Sequence, residues 1–248
     1  MRRRGYAGVT RRGRVRKTNE DAWLADPALG LFIVADGMGG HAAGALAAQV
    51  VVNALPLLVR QAFGTTETLG RADAVERLAA ALAMLSNRLR KESEGRPGLS
   101  GMGATVVVAL VRGGRALIGH MGDSRAYLFR GGLLGQLTTD HSLVSLLLEH
   151  GQIDAEEAAV HPARGQLTRY VGMRGEALPE AQSVELRPGD RLVLCSDGLT
   201  NMVTDAEMRA ILSEDLTPSR TCRRLAAAAN DAGGMDNISV VVVAPEAR

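Results

Sequence analysis

Four aspartates, Asp36, Asp123, Asp197 and Asp236, each stand where an apolar run breaks into a short polar turn. The turns read Val34-Ala35-Asp36-Gly37-Met38-Gly39-Gly40, His120-Met121-Gly122-Asp123-Ser124-Arg125, Leu194-Cys195-Ser196-Asp197-Gly198 and Gly234-Met235-Asp236-Asn237-Ile238, and an acidic Asn19-Glu20-Asp21 precedes them. Ionised carboxylates beside a glycine, whose carbonyl can approach a ligand without a Cβ in the way, suit a hard cation such as Mg²⁺ or Mn²⁺. Asp-Gly is also an ordinary turn dipeptide. Spacing alone therefore leaves two alternatives open, a cation site or a set of unrelated turns, and folding decides between them.

Several other chemistries are excluded. Neither lysine, Lys17 or Lys91, sits in a Gly-x-x-x-x-Gly-Lys-Ser/Thr loop, which removes P-loop nucleotide binding. Cys195 is followed six positions later by Asn201, so a Cys-x5-Arg thiol phosphatase loop is absent. The histidines at 41, 120, 141, 150 and 161 lack zinc-site spacing, and Gly-x-Ser-x-Gly does not occur. Cys195 and Cys222 show no disulfide framework and are expected to be small buried side chains in a reducing cytoplasm. A net charge of +2 gives no reason to expect nucleic-acid binding, although eight of residues 1–17 are Arg or Lys, a run expected to form a solvated face. No uninterrupted apolar stretch of about 18 residues is present and no apolar segment follows the basic start, so neither a membrane span nor a signal peptide is expected.

The elements that must position the acidic turns can be read from periodicity. Tyr6 to Thr10, Asp21 to Asp26 and Leu29 to Ala35 read as strands, the last ending at Asp36. Ala42 to Arg60 reads as a largely buried Ala-rich helix that Pro56 should kink or divide. Asp73 to Glu94 carries Val75, Leu78, Leu82, Leu85 and Leu89 on one face, with Asp73 as candidate N-cap. Three hairpins are expected: Ala104–Arg112 with Arg115–Met121, Arg125–Arg130 with Leu133–Leu137, and Val184–Leu186 with Arg191–Cys195 across Arg187-Pro188-Gly189-Asp190. Ser142 to Glu149 reads as a helix and residues 151–175 as irregular, followed by helices near Asp205–Leu212 and Pro218–Asn230 and a strand, Ile238–Val243. Strand blocks joined by hairpins, with helices grouped apart from them, point to an α+β fold of antiparallel sheets with outer helices rather than a Rossmann-like parallel sheet. With 3% aromatic residues, the core must be Val, Leu, Ile and Ala. No linker divides the acidic turns, so residues 1–248 are expected to form a single domain.

The motifs, taken in order, resemble the metal-dependent protein phosphatases, the PPM or type-2C family, in its compact bacterial form. They are Arg16-x-x-Asn19-Glu20-Asp21, Asp36-Gly37-Met38-Gly39-Gly40-His41, Gly101-Met102-Gly103-Ala104-Thr105, Gly122-Asp123-Ser124-Arg125-Ala126-Tyr127, Leu137-Thr138-Thr139-Asp140-His141-Ser142, Leu167-Thr168-Arg169, Ser196-Asp197-Gly198-Leu199 and Asp236-Asn237-Ile238. The resemblance covers about residues 6 to 244 and implies a four-layer α/β/β/α sandwich. It implies that Asp36 bridges two Mn²⁺ or Mg²⁺ ions with the Gly37 carbonyl on the second, that Asp197 and Asp236 complete the first ion's ligands, and that Asp123 with Asp197 holds a third, weaker ion. Glu20 and Asp21 match the acidic pair that orients metal-bound water, Arg16 the arginine that grips phosphate, and Asn237 a support beside Asp236. Residues 144–172 match a variable flap beside the active site.

The implied activity is a hydrolase of signalling, a protein serine/threonine phosphatase that cleaves phosphoserine and phosphothreonine esters with a water activated by a binuclear metal centre, without a covalent phosphoenzyme. Its partners would be a Ser/Thr kinase or that kinase's substrates, with no nucleic acid or membrane, and the enzyme would be a cytoplasmic monomer. Met38 stands where many eukaryotic relatives place a histidine as leaving-group acid, and no other acid is assigned; His41 is expected to pack at the start of the following helix. Two alternatives differ in class: a catalytically silent binding module, disfavoured because every ligand carboxylate is kept, and a two-metal small-molecule phosphoesterase or nuclease.

Overall fold

A computed structural model describes residues 5–40, 42–65, 68–99 and 101–245. Residues 1–4 of the basic start, and His41, lie outside the described residues. The chain forms, in order, β1 (Gly5–Arg11), β2 (Asp21–Asp26), β3 (Leu31–Met38), α1 (Ala42–Phe63), α2 (Ala74–Ser93), β4 (Gly103–Ala104), β5 (Val106–Arg112), β6 (Arg115–Met121), β7 (Arg125–Arg130) and β8 (Leu133–Gln136). There follow α3 (Leu143–Glu149), α4 (Ala155–Val160), β9 (Glu180–Glu185), β10 (Arg191–Cys195), α5 (Asp197–Thr200), α6 (Asp205–Ser213), α7 (Pro218–Asp231) and β11 (Ile238–Ala244).

Two antiparallel sheets result, one in the order β1-β11-β10-β7-β8 and one in the order β2-β3-β5-β6-β9, with the short β4 paired to β3. Strand alternation assigns the layers, because successive side chains leave a strand on opposite faces. Leu31, Ile33, Ala35, Val106, Val108 and Leu110 pack against α1 and α2. Their neighbours Phe32, Val34, Val107 and Ala109 meet Leu192, Leu194, Val241 and Val243 of the other sheet. On that sheet's far face Val193, Cys195, Val240 and Val242 pack under α6 and α7. The order of layers is helix, sheet, sheet, helix, as the resemblance implies. Strands buried on both faces explain the near-continuous apolar runs.

Four local expectations are corrected. Pro56 lies inside α1, which is continuous from Ala42 to Phe63. The helix is long and apolar enough to cross a membrane, yet Ala47, Ala48, Val51, Leu55 and Val59 are fully buried against the protein; tertiary burial outweighs the one helical bond that proline removes. The third hairpin does not form, since β9 pairs with β6 in one sheet and β10 with β7 and β11 in the other. The Arg187–Asp190 turn instead crosses between sheets, pinned by the Arg130 guanidinium on Asp190 at 2.7 and 3.0 Å. Asp73 occupies the N-cap position of α2 but makes no side-chain cap bond, because its carboxylate is taken by Arg71 at 3.0 Å. Finally, the segment expected to be irregular contains α4, started by a reciprocal capping box between Asp154 and Glu157.

Candidate metal and phosphate site

The acidic turns converge at one end of the sandwich. β3 does not stop at Asp36: it continues to Met38, with Gly37 opposite Ala104 and Met38 opposite Gly103. Asp21 of β2 is the cross-strand partner of Asp36. Asp123 lies in the β6–β7 turn, Asp197 opens α5 directly after β10, and Asp236 directly precedes β11. A cleft of about 820 Å³ is lined by Arg16, Lys17, Glu20, Asp36, Gly37, Met38, Asp123, Asp197, Asp236 and Asn237 among others. Five carboxylates therefore face two cationic side chains along its walls.

Close backbone approach makes the convergence possible. A Cβ on Gly37 would lie 1.9 Å from the Gly44 carbonyl oxygen of α1, and one on Gly198 would lie 1.9 Å from that of Asn237. Only glycine allows α1 and the β11 entry to seat so near the carboxylates. Thr105 brackets two of the turns: its N–H donates to the Asp36 carbonyl at 2.8 Å, its Oγ1 accepts from the Asp36 N–H at 3.2 Å, and it shares a 2.6 Å hydrogen bond with Ser124 Oγ. Asn237 ties the rest together. Its Oδ1 accepts from the Glu20 N–H at 2.8 Å, and its Nδ2 donates to the carbonyls of Arg12 and Thr18, both at 2.9 Å.

Electrostatically the cleft is under-compensated. Burial, then the charges of Asp21 and Asp197, hold the Asp36 carboxyl well above the usual carboxylate range. Burial and the Asp197 charge push Asp123 up to about 7; burial and Asp236 push Asp197 up. Asp197 Oδ1 is shielded from solvent without any hydrogen-bond partner, while its Oδ2 accepts from Asn201 Nδ2 at 3.0 Å. An oxygen-only donor set with an orphaned buried oxygen fits a hard divalent cation. Arg16 reaches in from the β1–β2 loop and donates to Asp236 Oδ2 at 2.6 Å.

Glu20 and Asp21, expected as a pair, sit at different depths. Glu20 lines the cleft. Asp21, at 9% exposure, lies beneath it, where Ser196 Oγ donates to its Oδ2 at 2.8 Å, its Oδ1 has no partner, and burial raises it to about 7. Asp21 is the first residue of β2, fixed opposite Asp36, whereas Glu20 stands in the loop before the strand, which separates the two.

Four contributors carry no assigned role in the sequence: Asn201, which lies outside the motifs, and Thr105, Ser196 and His141, which lie within them. Ser196 and Thr105 did give a signal, as lone hydroxyls at the ends of apolar runs. His141 gave none. Its Nδ1 accepts from the Gly122 N–H at 3.3 Å, beside Asp123, and its N–H donates to the Gly122 carbonyl at 3.0 Å. Its ring stacks on His120 with centroids 4.3 Å apart, and Nε2 meets Glu180 at 3.3 Å. His120, His141 and Glu180 lie near enough to share a cation, but the Arg169 guanidinium already occupies that place, 2.7 Å from Glu180. Among the described residues no histidine lines the cleft. From the expected flap, Gly165, Gln166, Leu167 and Tyr170 do line it, and Arg164 donates to Asn201 Oδ1 at 3.2 Å.

A four-layer sandwich with a carboxylate cleft at its end is the arrangement that the resemblance to the metal-dependent protein phosphatases implies. The family model for protein phosphatase 2C matches residues 10–232. The chain is 39% identical over 238 residues to the serine/threonine phosphatase stp of Listeria innocua, covering 94% of this chain and 93% of that protein. Its fold is similar to that of the Mycobacterium tuberculosis serine/threonine phosphatase PstP/Ppp, with a TM-score of 0.86, 39% identity and 98% of each chain covered. It is also similar, at a TM-score of 0.82 and 37% identity over 96% of each chain, to the catalytic domain of PstP in complex with two manganese ions. The chain belongs to the protein phosphatase 2C family and is a metal-dependent protein serine/threonine phosphatase.

Proposed function

We propose that Asp36, the Gly37 carbonyl, Asp197 and Asp236 hold two divalent cations, Mn²⁺ or Mg²⁺, and that Asp123 with Asp197 holds a third. The observation that carries this is the charge balance of the cleft, five carboxylates against Arg16 and Lys17, together with the unpartnered Asp197 Oδ1. When bound, such ions polarise the phosphoryl oxygens and activate water as the nucleophile. The remaining tasks fall to side chains. Arg16 spends part of its guanidinium on Asp236 and keeps further N–H donors for the substrate phosphate, a planar fork that lysine lacks. Glu20 orients water at the rim. Asp21, held by Ser196, supports Asp36 from below, and Asn237 fixes the Arg16 loop against Asp236.

A cysteinyl-phosphate route is closed, because neither thiol lines the cleft and burial pushes both Cys195 and Cys222 up to about 12; with water as the nucleophile no covalent phosphoenzyme is required. The reaction is hydrolysis of phosphoserine and phosphothreonine esters on proteins modified by a Ser/Thr kinase, or on that kinase itself. Residues 1–248 act as one catalytic unit, as a monomer in the cytoplasm, a setting that two free buried thiols support. The test is turnover of a phosphothreonine peptide with Mn²⁺, with chelator, and by Asp197→Asn. Chelator and substitution should each abolish turnover, and activity that survives chelation would overturn the metal assignment.

A further inference from the structure

A second concavity of about 610 Å³ opens beside the acidic cleft, lined by Arg90, Arg96, Arg174, Glu94, Tyr170 and Met173 among others. Tyr170 lines both the cleft and this pocket, so the two share a wall. Their charges are opposite. Three arginines face one glutamate here, whereas carboxylates dominate the cleft. Among the described residues Glu94 engages only Arg90, at 2.6 Å, and Arg90 Nε is shielded from solvent without an acceptor. Arg96 and Arg174 are exposed, and among the described residues neither has an ion-pair partner. The backbone leading to Arg174 is firmly held. Gly172 N–H donates to Ser86 Oγ of α2 at 3.0 Å, Val171 bridges Ala104, and a Cβ on Gly103 would fall 2.8 Å from the Tyr170 ring.

An extended peptide advances about 3.3 Å per residue, so a substrate whose phosphate enters the cleft carries its flanking side chains across Tyr170. A guanidinium cluster recognises carboxylate or phosphate by charge-assisted, often bidentate hydrogen bonds. We infer that the Arg90–Arg96–Arg174 pocket binds an acidic or second phosphorylated side chain on the same polypeptide segment whose phosphoryl group occupies the cleft. This rests on the cleft being the phosphate site. It makes these arginines determinants of substrate choice rather than of the chemistry.

The experiment measures kcat/KM of the full chain with Mn²⁺ on phosphothreonine peptides with neutral flanks, with one Asp moved along either flank, with a second phosphate at the preferred position, and with Lys there. p-Nitrophenyl phosphate reports the chemistry alone. One Asp position should raise kcat/KM about fivefold and a second phosphate more, both gains shrinking with added salt. Arg96→Glu/Arg174→Glu should erase that preference and turn it toward the Lys peptide, leaving p-nitrophenyl phosphate turnover within about twofold, since rim charges act on encounter rather than on the reacting atoms. Flank-independent rates in the unaltered protein would overturn the inference, as would a variant equally impaired on every substrate. Metal-dependent turnover of p-nitrophenyl phosphate but of no phosphothreonine peptide would overturn the reading of the cleft as a protein phosphatase site as well.

Discussion

Two clusters of ionisable side chains lie side by side at one end of the sandwich, and they are built on opposite rules. In the cluster around Asp140 and Glu180, acids meet cations: Arg125 binds Asp140 with two bonds of 2.7 and 2.8 Å, and Arg169 sits on Glu180 at 2.7 Å. In the cleft, Asp36, Asp123 and Asp197 meet mostly one another, and burial plus mutual repulsion raises all three. A structural cluster is neutralised within the chain, whereas a binding cluster is left short of positive charge that a ligand must bring. Gly122, held by His141 on one side and followed by Asp123 on the other, joins the two.

The contrast can be broken by the same substitution in each cluster. Asp36→Asn should lower kcat/KM on a phosphothreonine peptide by about a thousandfold or more, as expected when a group that positions the attacking and leaving oxygens is lost, while the chelated protein keeps or gains stability in urea at pH 8. Asp140→Asn should do the reverse. It leaves Arg125 unpaired in a part-buried place and should cost about 2–3 kcal/mol of folding stability in urea melts, with a much smaller loss of activity. If Asp36→Asn destabilised the chelated protein as much as Asp140→Asn does, the distinction would be wrong.

A pH titration sharpens it further. Asp21 and Asp123 titrate near 7 in the fold against an ordinary 3.8, so folding takes up protons between those values. Their contribution is fully present below about 3.8 and is lost as pH rises toward 7. Melting temperatures in chelator should therefore fall across that window, and Asp123→Asn should flatten that fall. Mn²⁺ at about a hundred times its Kd should restore about 2.7 kcal/mol. A flat profile in chelator would contradict the charge shortage. The smallest effect concerns Arg16: Arg16→Lys should lower kcat/KM about tenfold, one good charge-assisted bond, with Mn²⁺ affinity unchanged by calorimetry. Equal loss of both would make Arg16 a partner of Asp236 alone.

Much of this was legible in the chain. Asp36, Asp123, Asp197 and Asp236 were marked because polar turns interrupt apolar strands, a pattern local enough to read. Pairings of nearby strands, such as β5 with β6 across Gly113-Gly114, were equally local. What was missed depends on distance. Arg187-Pro188-Gly189-Asp190 has the composition of a hairpin turn, but β9 and β10 find partners in different sheets, a choice made by residues far along the sequence. Pro56 fails to break α1 because the fold buries one face of the helix on both sides of it, Val51, Val52 and Leu55 before and Val59 after. His141 lies within a motif, but its two bonds to Gly122, 19 positions away, are not written in the local pattern.

The sequence by itself determined which groups can do chemistry: the candidate oxygen ligands, the glycines that admit close backbone approach, and the absence of a Cys-x5-Arg or P-loop route, since these follow from residue type and adjacent spacing. Only the tertiary structure decided that five carboxylates share a cleft with two cations, that Asp21 lies beneath while Glu20 lines it, and that a basic pocket stands across Tyr170. Charge density and burial are properties of convergence in space, and a linear pattern does not contain the desolvation that makes a carboxylate wait for a metal.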